Sequence, residues 1–484
     1  MASSCDQRAA NRGAARVVPI FLLGIVAYSC FVFTKPLCID YFIRPTSHHG
    51  SPSPRKGTAA GLLTGFYILL FIFVASFLRL ITTILWNPGY LSRGPCRAEQ
   101  EAHDSEKLAK RKHKHSRRTS ASRVNHERRE GHRRDGEVGM GYNLEKTDLP
   151  FDATGLEAFY AKDIFVCQAD GKPPWCSVCH QWKTDRAHHC SEAGRCVRKM
   201  DHFCPWVGGV VGETSFKFFI QFLFYGTLFA IYNLVVMAIF VAKLSREGTT
   251  DVHFVLILAL SAFLGLFAAG MLGSSLHLAL TNLTTIESLN RGKVWSLAVL
   301  IPRPNDFYRS KPPGTVPFIT VSYPEDQISS EARPPQTATF VTPRRVFAIL
   351  HTQPGENPFD LGNPLDNLRE VMGYSVLDWF LPLKYSPCAD HHRQESAYVM
   401  GPVVQRLKRE AGLSGSDPAA SRKAGEKRRE GRRLAHRFSN RRIGGHALKK
   451  SQSRAGRHHN RHHRRRISNR STGSIARFDN ESSG

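Results

Sequence analysis

Acidic side chains are in short supply. The 484-residue chain carries 40 Asp and Glu against 67 Lys and Arg, a formal net charge of +27. Most of the surplus sits in two stretches, "KLAKRKHKHSRRTSASRVNHERREGHRR" at 107–134 and roughly the last 80 residues, which include "RHHNRHHRRR". Both lack an apolar period able to build a core, which excludes a folded domain there and makes disorder the expectation. A small-residue cleavage site is also missing. The first apolar run is followed by Lys35-Pro36, so it reads as a membrane span rather than a removed leader, although Arg8, Arg12 and Arg16 precede it. Disulfides are not expected either: there are eleven cysteines, but the bulk of the chain faces a reducing compartment.

What the sequence does have is long apolar runs. Four of them, at about 17–34, 59–78, 218–242 and 254–280, each approach the ~20 residues that cross ~30 Å of hydrocarbon. Four such runs exclude a set of buried helices in a soluble protein. Lys and Arg are concentrated between runs two and three and after run four, which puts both termini and the large middle segment in the cytosol. Lys35, Arg44, Arg55 and Lys56 in the first short connection dissent mildly. On a chain so tethered, the polyanion nearest the basic stretches is the anionic lipid of the cytosolic leaflet, and a nucleic-acid partner is not expected. The histidine pairs of the tail read as decoration rather than a metal site.

Six cysteines crowd one region. "WCSVCHQWKTDRAHHCSEAGRCVRKMDHFC" supplies Cys176, Cys179, Cys190, Cys196 and Cys204, with Cys167 a little upstream. A Cys-x-x-Cys pair followed within 20 residues by His-His-Cys and another Cys is a zinc pattern, since structural zinc wants four thiolate or imidazole ligands. Spacing leaves two sets open: Cys176, Cys179 and Cys196 with His189, or with Cys190 in its place. Cys204 stands apart, because Asp201 and His202 accompany it just ahead of the third apolar run. A neighbouring base raises the thiolate fraction of a cysteine, and a carboxylate can hold that base in the required tautomer. Phe203, between them, is neither base, ligand nor nucleophile.

The segment 176–219 resembles the cysteine-rich domain of DHHC-type protein S-acyltransferases, or palmitoyltransferases, and "DHFC" followed by "PWVGGVVGETSFKFF" looks most like a fungal branch of that family. "NPG" at 87–89, "TTIE" at 284–287 and "NPFDLGNPLDNLREVMG" at 357–373 resemble further motifs of the family, in its order and on its four-span frame.

The resemblance implies an all-α multi-pass membrane protein with a zinc-bound cytosolic module. Its parts would be an N-terminus at 1–16, spans one and two at 17–85, a loop with the basic insertion at 86–165 and the cysteine-rich domain at 166–216. Spans three and four would follow at 217–280, then a C-terminal region at 281–385 and a basic tail at 386–484. It implies that Cys204, served by His202 and Asp201, takes a long-chain acyl group from palmitoyl-CoA and passes it to a cysteine of a membrane-proximal substrate protein. It places Phe219, Phe222, Phe229 and Trp206 along the acyl chain, although a spacing of three and seven by itself reads as lipid-facing or core packing. Lys183, Arg186 and His188 match the positions expected near the coenzyme's phosphates.

The resemblance selects Cys176, Cys179, His189 and Cys196 as the ligands of one structural zinc. A second set, usual in the family, keeps only Cys190, with Ala193, Phe203 and Val210 in the other three places, so apolar packing is expected to replace that ion. Two rivals remain. A membrane-bound zinc interaction module, such as a ubiquitin-ligase ring, needs eight ligands for two metals, and an inactive scaffold of the same fold would hold zinc without thioester chemistry.

Overall fold

The computed structural model describes residues 4–44, 55–94, 155–290, 292–302, 304–310, 317–323 and 345–413. The basic insertion at 107–134 and the chain after 413 lie outside them.

Four helices have the length and apolar composition to cross a bilayer: Asp6–Ile43, Lys56–Trp86, Phe216–Arg246 and Val252–Leu280. At 1.5 Å per residue the second and third are each about 46 Å long, well over the hydrocarbon thickness, so their ends project from it. The first begins earlier than its apolar run. Its polar start continues the helix because it packs along the cysteine-rich module, where Asn11 donates to Glu192 Oε1 at 3.2 Å and Arg12 to the Ser191 carbonyl at 3.2 Å. Beyond Val32 this helix widens into π-helical geometry over Phe33–Ile43. Asp251 caps the fourth helix, accepting from the His253 and Phe254 amides at 2.8 and 3.4 Å. Aromatic rings lock the second helix to the third. Phe73 stacks between Phe222 and Phe229 at 5.5 and 5.6 Å, and Gly65 leaves room for Tyr232, whose hydroxyl would lie 3.0 Å from a Cβ there.

Strands numbered in chain order are β1 (Ile164–Cys167), β2 (Trp175–Cys176), β3 (Gln181–Trp182), β4 (His188–Cys190), β5 (Arg195–Val197), β6 (His202–Cys204), β7 (Gly209–Val211), β8 (Ser296–Leu300), β9 (Ile319–Tyr323) and β10 (Arg345–His351). β2–β3, β4–β5 and β6–β7 form three small antiparallel pairs. The membrane architecture is helical as expected, but a four-stranded antiparallel sheet in the order β1-β8-β10-β9 is added to it. Period-two alternation gives that sheet two covered faces. Phe165, Ala298, Phe347 and Ile349 lie under Phe159 and Tyr160, while Val166, Leu297, Val299 and Leu350 lie under Trp295, Phe359 and Tyr398.

The boundary placed at 386 for the basic tail needs correction. Residues 386–413 are structured: Pro402–Glu410 is a helix, and Cys388, Tyr398, Val404, Leu407 and Ala411 are buried against the sheet. Val404, Leu407 and Ala411 recur at helical spacing, and it is this short apolar face that holds the segment down.

The motifs outside the cysteine-rich module fasten it to the helix ends. Arg198 N–H donates to the Gly89 carbonyl and Leu91 N–H to that of Cys196, both at 2.9 Å, and Thr214 Oγ1 donates to the Asn87 carbonyl at 2.6 Å. On the C-terminal side Asn357 Nδ2 donates to the Thr281 and Asn282 carbonyls at 3.1 Å, and Asn367 Nδ2 to that of Leu280 at 2.9 Å.

Candidate active site and metal centre

The candidate nucleophile sits on a hairpin. β6 turns through Pro205–Val207 and Gly208, which takes φ +77° and approaches the Ala15 carbonyl of the first helix, and returns as β7. Alternation along β6 sends His202 and Cys204 to one face and Phe203 to the other. His202 Nδ1 meets Asp201 Oδ2 at 2.7 Å, and Asp201 also accepts from the Thr285 amide at 2.8 Å and the Thr285 hydroxyl at 2.9 Å. The second ring nitrogen, Nε2, is buried, with no hydrogen-bond partner among the described residues. The Cys204 sulfur is near enough to this side of the ring to bear on its charge. Burial works against protonation of the ring, but the Asp201 bond and the nearby sulfur outweigh it and push the His202 pKa up to about 9. At neutral pH the ring is therefore an imidazolium, a charge that stabilises negative charge developing on the adjacent sulfur.

Thr285 is itself positioned. Thr284 and Glu287 form a reciprocal cap at the start of helix Thr285–Leu289, with Thr284 N–H donating to Glu287 Oε2 at 2.9 Å and Glu287 N–H to Thr284 Oγ1 at 3.2 Å. Glu287 in turn grips Arg186 in a two-pronged ion pair at 2.6 and 2.8 Å. Arg186 also donates to the side chain and carbonyl of Asn282 at 3.0 and 2.9 Å and lies 4.5 Å over the Phe359 ring. Burial alone would raise the pKa of the Glu287 carboxyl, yet Arg186 holds it below the usual carboxylate value. The expectation that Arg186 meets coenzyme phosphates is corrected here. The residue is 4% exposed, and its guanidinium is spent on tying the zinc module to the segment that holds Asp201.

Cys176, Cys179, His189 and Cys196 bring one donor atom each to within 4.8 Å of one another. His189 and Cys196 are direct cross-strand partners in β4–β5, and Cys176 ends β2. His189 Nδ1 lies 3.6, 3.3 and 3.9 Å from the three sulfurs. A tetrahedron with Zn–S ~2.3 Å and Zn–N ~2.0 Å has S···N edges of roughly 3.5 Å, so the donor set and spacing fit zinc. Cys190 points elsewhere: its sulfur meets Glu192 Oε2 at 3.6 Å and the Ala193 amide at 3.4 Å. Cys167 lies in β1 and is buried in the sheet. Cys190, Ala193, Phe203 and Val210 fall in one apolar cluster with Val197, Met200, Tyr90 and Ile286, and Phe203 faces Val210 across β6–β7. The odd phenylalanine therefore packs where a second metal ligand would stand.

On the membrane side of Cys204 an apolar cavity of about 120 Å³ opens, lined by Trp206, Phe219, Phe222 and Phe229 and by residues of all four long helices. The Phe219 ring lies edge-on to His202 at 5.3 Å, and Trp206 leans on Phe267 of the fourth helix at 5.1 Å. Ser29 and Asn233, which also line the cavity, join at 3.1 Å, and neither was singled out in the sequence. From Phe219 to Asn233 the helix rises about 21 Å, the scale of an extended long acyl chain. Of the basic candidates, Lys183 is half-buried, and burial pushes His188 down to about 4, so its ring is neutral. Lys293, close enough for its charge to bear on both, was also missed, because the motifs do not include it.

A cysteine–imidazole–carboxylate chain above an apolar cavity, braced by a zinc-ligand module on four long apolar helices, defines a membrane enzyme of acyl-thioester chemistry. Residues 170–292 match the family model described as DHHC palmitoyltransferase. The chain is 47% identical over 427 residues to "Palmitoyltransferase pfa5" of Aspergillus fumigatus, covering 87% of this chain and 95% of that protein. It is 44% identical over 447 residues to "Palmitoyltransferase pfa5" of Emericella nidulans, covering 87% and 90%. "Palmitoyltransferase PFA3" of Saccharomyces cerevisiae is 31% identical over 252 residues, 49% of this chain and 60% of that protein. The chain belongs to the DHHC palmitoyltransferase family and is a protein S-palmitoyltransferase of the fungal type.

Proposed function

We propose that Cys204 carries the acyl group between palmitoyl-CoA and a cysteine of a substrate protein, with His202 moving the protons and Asp201 orienting His202. The observation that supports this most is the position of the cysteine, with the Asp201–His202 pair beside its sulfur and an apolar cavity beneath it. In the first step the Cys204 thiolate attacks the thioester carbonyl of the donor. A carbon–sulfur bond forms to Cys204, the one to coenzyme A breaks, and the departing thiolate takes the proton that His202 holds. In the second step neutral His202 accepts the proton of the incoming protein thiol. The sulfur so freed attacks the acyl carbonyl, and Cys204 leaves as thiolate beside an imidazolium, so the starting state is restored. Asp201, fixed by Thr285, keeps the ring in the orientation both transfers need.

The acyl chain would lie along Phe219, Phe222 and Phe229 with Trp206 at the mouth, and Lys183, His188 and Lys293 would face the coenzyme's phosphates. Cys176, Cys179, His189 and Cys196 would hold one structural zinc, which supports the fold and takes no part in either transfer. The basic bias of the connecting segments supports a cytosolic position for this chemistry, where substrate proteins near the membrane would present their thiols. Incubation of the purified protein with labelled palmitoyl-CoA should yield a hydroxylamine-labile label, absent in Cys204→Ser with zinc content unchanged. No label on the zinc-loaded wild type would indicate the inactive scaffold, and undiminished label on the variant would remove Cys204 from its role.

A further inference from the structure

The third long helix opens with a buried lysine whose ammonium makes no hydrogen bond among the described residues. Lys217 is 0% exposed, and its Nζ has no hydrogen-bond or ion-pair partner among the described residues. An ammonium withdrawn from water in this way is costly unless an anion reaches it. The carboxylate whose charge bears on it, Asp378, is already paired with Lys384 at 3.3 Å. Arg79, near the matching end of the second helix, is in a similar position. It gives one bond to the Leu383 carbonyl at 3.3 Å, stacks over Phe218 at 4.6 Å and Tyr385 at 5.0 Å, and keeps a buried, unpartnered Nε. Lys217 and Lys384 thus share one carboxylate, and Arg79 lies against the same stretch at Leu383 and Tyr385.

Residues 373–385 wrap this corner as a collar. Gln221 Nε2 donates to the carbonyls of Asp378, Trp379 and Leu381 at 3.2, 3.0 and 3.3 Å, and Tyr225 OH to that of Phe380 at 2.9 Å. The collar's outward side chains are apolar: Val376, Leu377 and Leu383 are 63%, 67% and 71% exposed. An apolar rim beside a cluster of basic side chains, level with the ends of two bilayer-crossing helices, is complementary to a lipid that has both an anionic head and acyl tails. At 100° per residue, Lys217 lies about 200° around the helix from Phe219, so this corner is on the face opposite the catalytic imidazole.

We propose that Arg79, Lys217 and Lys384, where the collar of residues 373–385 meets the two helix ends, bind the phosphate of an anionic phospholipid, with Val376, Leu377 and Leu383 set among its acyl chains. The site is independent of the acyl-transfer reading. Its test uses the full chain in detergent, mixed with phosphatidylserine, with phosphatidylcholine or with inorganic phosphate alone, and reads lipid retained by native mass spectrometry and the unfolding temperature. The wild type should retain phosphatidylserine over phosphatidylcholine. Arg79→Gln combined with Lys384→Gln should weaken that retention roughly twenty- to thirtyfold, at about fivefold for each basic group lost.

Lys217→Met should unfold no earlier than wild type in phosphatidylcholine and should lose the rise that phosphatidylserine gives. Equal retention of the two lipids by the wild type would overturn the site, as would a rise given in full by phosphate alone. The basic stretches stay in every variant, so lipid held there would leave the variants like wild type and also overturn it. If Lys217→Met does not fold, the double variant, which leaves the buried Lys217 in place, decides.

Discussion

Thr285 holds Asp201 with both of its donors, its amide on Oδ1 at 2.8 Å and its hydroxyl on Oδ2 at 2.9 Å. Oδ2 is also the oxygen that meets His202 Nδ1. A residue 84 positions downstream therefore sets the direction from which the Asp201 carboxylate addresses the imidazole. Replacing Thr285 by Val keeps the shape and the amide bond but removes the hydroxyl. A hydrogen bond to a charged group is worth about 1.5–3 kcal/mol, so self-acylation should slow roughly 10- to 100-fold with zinc content unchanged, and Thr285→Ser should recover most of it. Wild-type labelling by Thr285→Val would mean that the amide alone suffices.

The raised pKa of His202 has a stability consequence. Its folded value of about 9 lies above the ~6.5 of an unfolded histidine, so the stabilisation is fully present below about pH 6.5 and is lost as pH climbs through about 9. His202→Gln, neutral throughout, should unfold earlier than wild type by a margin that is widest near pH 6.5 and shrinks by pH 9.5. Thermal unfolding in detergent across that range measures it, and a constant margin would show that the ring is not held as an imidazolium.

Arg186 and Lys183 should separate cleanly. Breaking a buried ion pair by removing one partner costs about 3–5 kcal/mol, so Arg186→Gln should lower the unfolding temperature and slow self-acylation without raising the KM for palmitoyl-CoA. Lys183→Ala should raise that KM and leave stability near wild type. A reversed pattern in steady-state kinetics would return Arg186 to the phosphates.

The spans, the clustering of Cys176, Cys179, His189 and Cys196 and the grouping of Asp201, His202 and Cys204 were legible because each is a local pattern: a run of 20 apolar residues, a ligand spacing, an acid beside a base. The sheet was not, because β1 at 164 pairs with β8 at 296, and "SLAVL" or "RVFAILH" alone does not distinguish a buried strand from a turn of helix. Arg186 was misplaced for a related reason. Its partner Glu287 is 101 residues away, and an arginine beside an aspartate in a polar loop looks solvated until that contact is known. The ordered stretch 386–413 was hidden among basic residues that share its composition but lack the Val404, Leu407 and Ala411 face.

The loop that carries Cys204 is braced by apolar contact through Phe203, and this gives the last prediction. Phe203 packs against Val210 and shares a cluster with Cys190 and Met200, on the strand face opposite Cys204. Cys190 has only the Glu192 carboxylate beside it, too few donors for a structural site, and burial pushes its thiol up to about 11, whereas the complete set of Cys176, Cys179, His189 and Cys196 can gain ~10–16 kcal/mol of apparent binding free energy coupled to folding. Elemental analysis should therefore find one zinc per chain, unchanged in Cys190→Ala and lost in Cys179→Ala. Phe203→His should not recruit a second ion, because Ala193 and Val210 still offer no donor. Phe203→Ala should keep its zinc, yet unfold earlier by up to about 3 kcal/mol, in line with the cost of emptying an aromatic site, and self-acylate more slowly as β6 loosens. Two zinc ions per chain would show that the ligand set is drawn wrongly. An unaltered labelling rate in a destabilised Phe203→Ala would show that the apolar cluster supports the fold but not the position of Cys204.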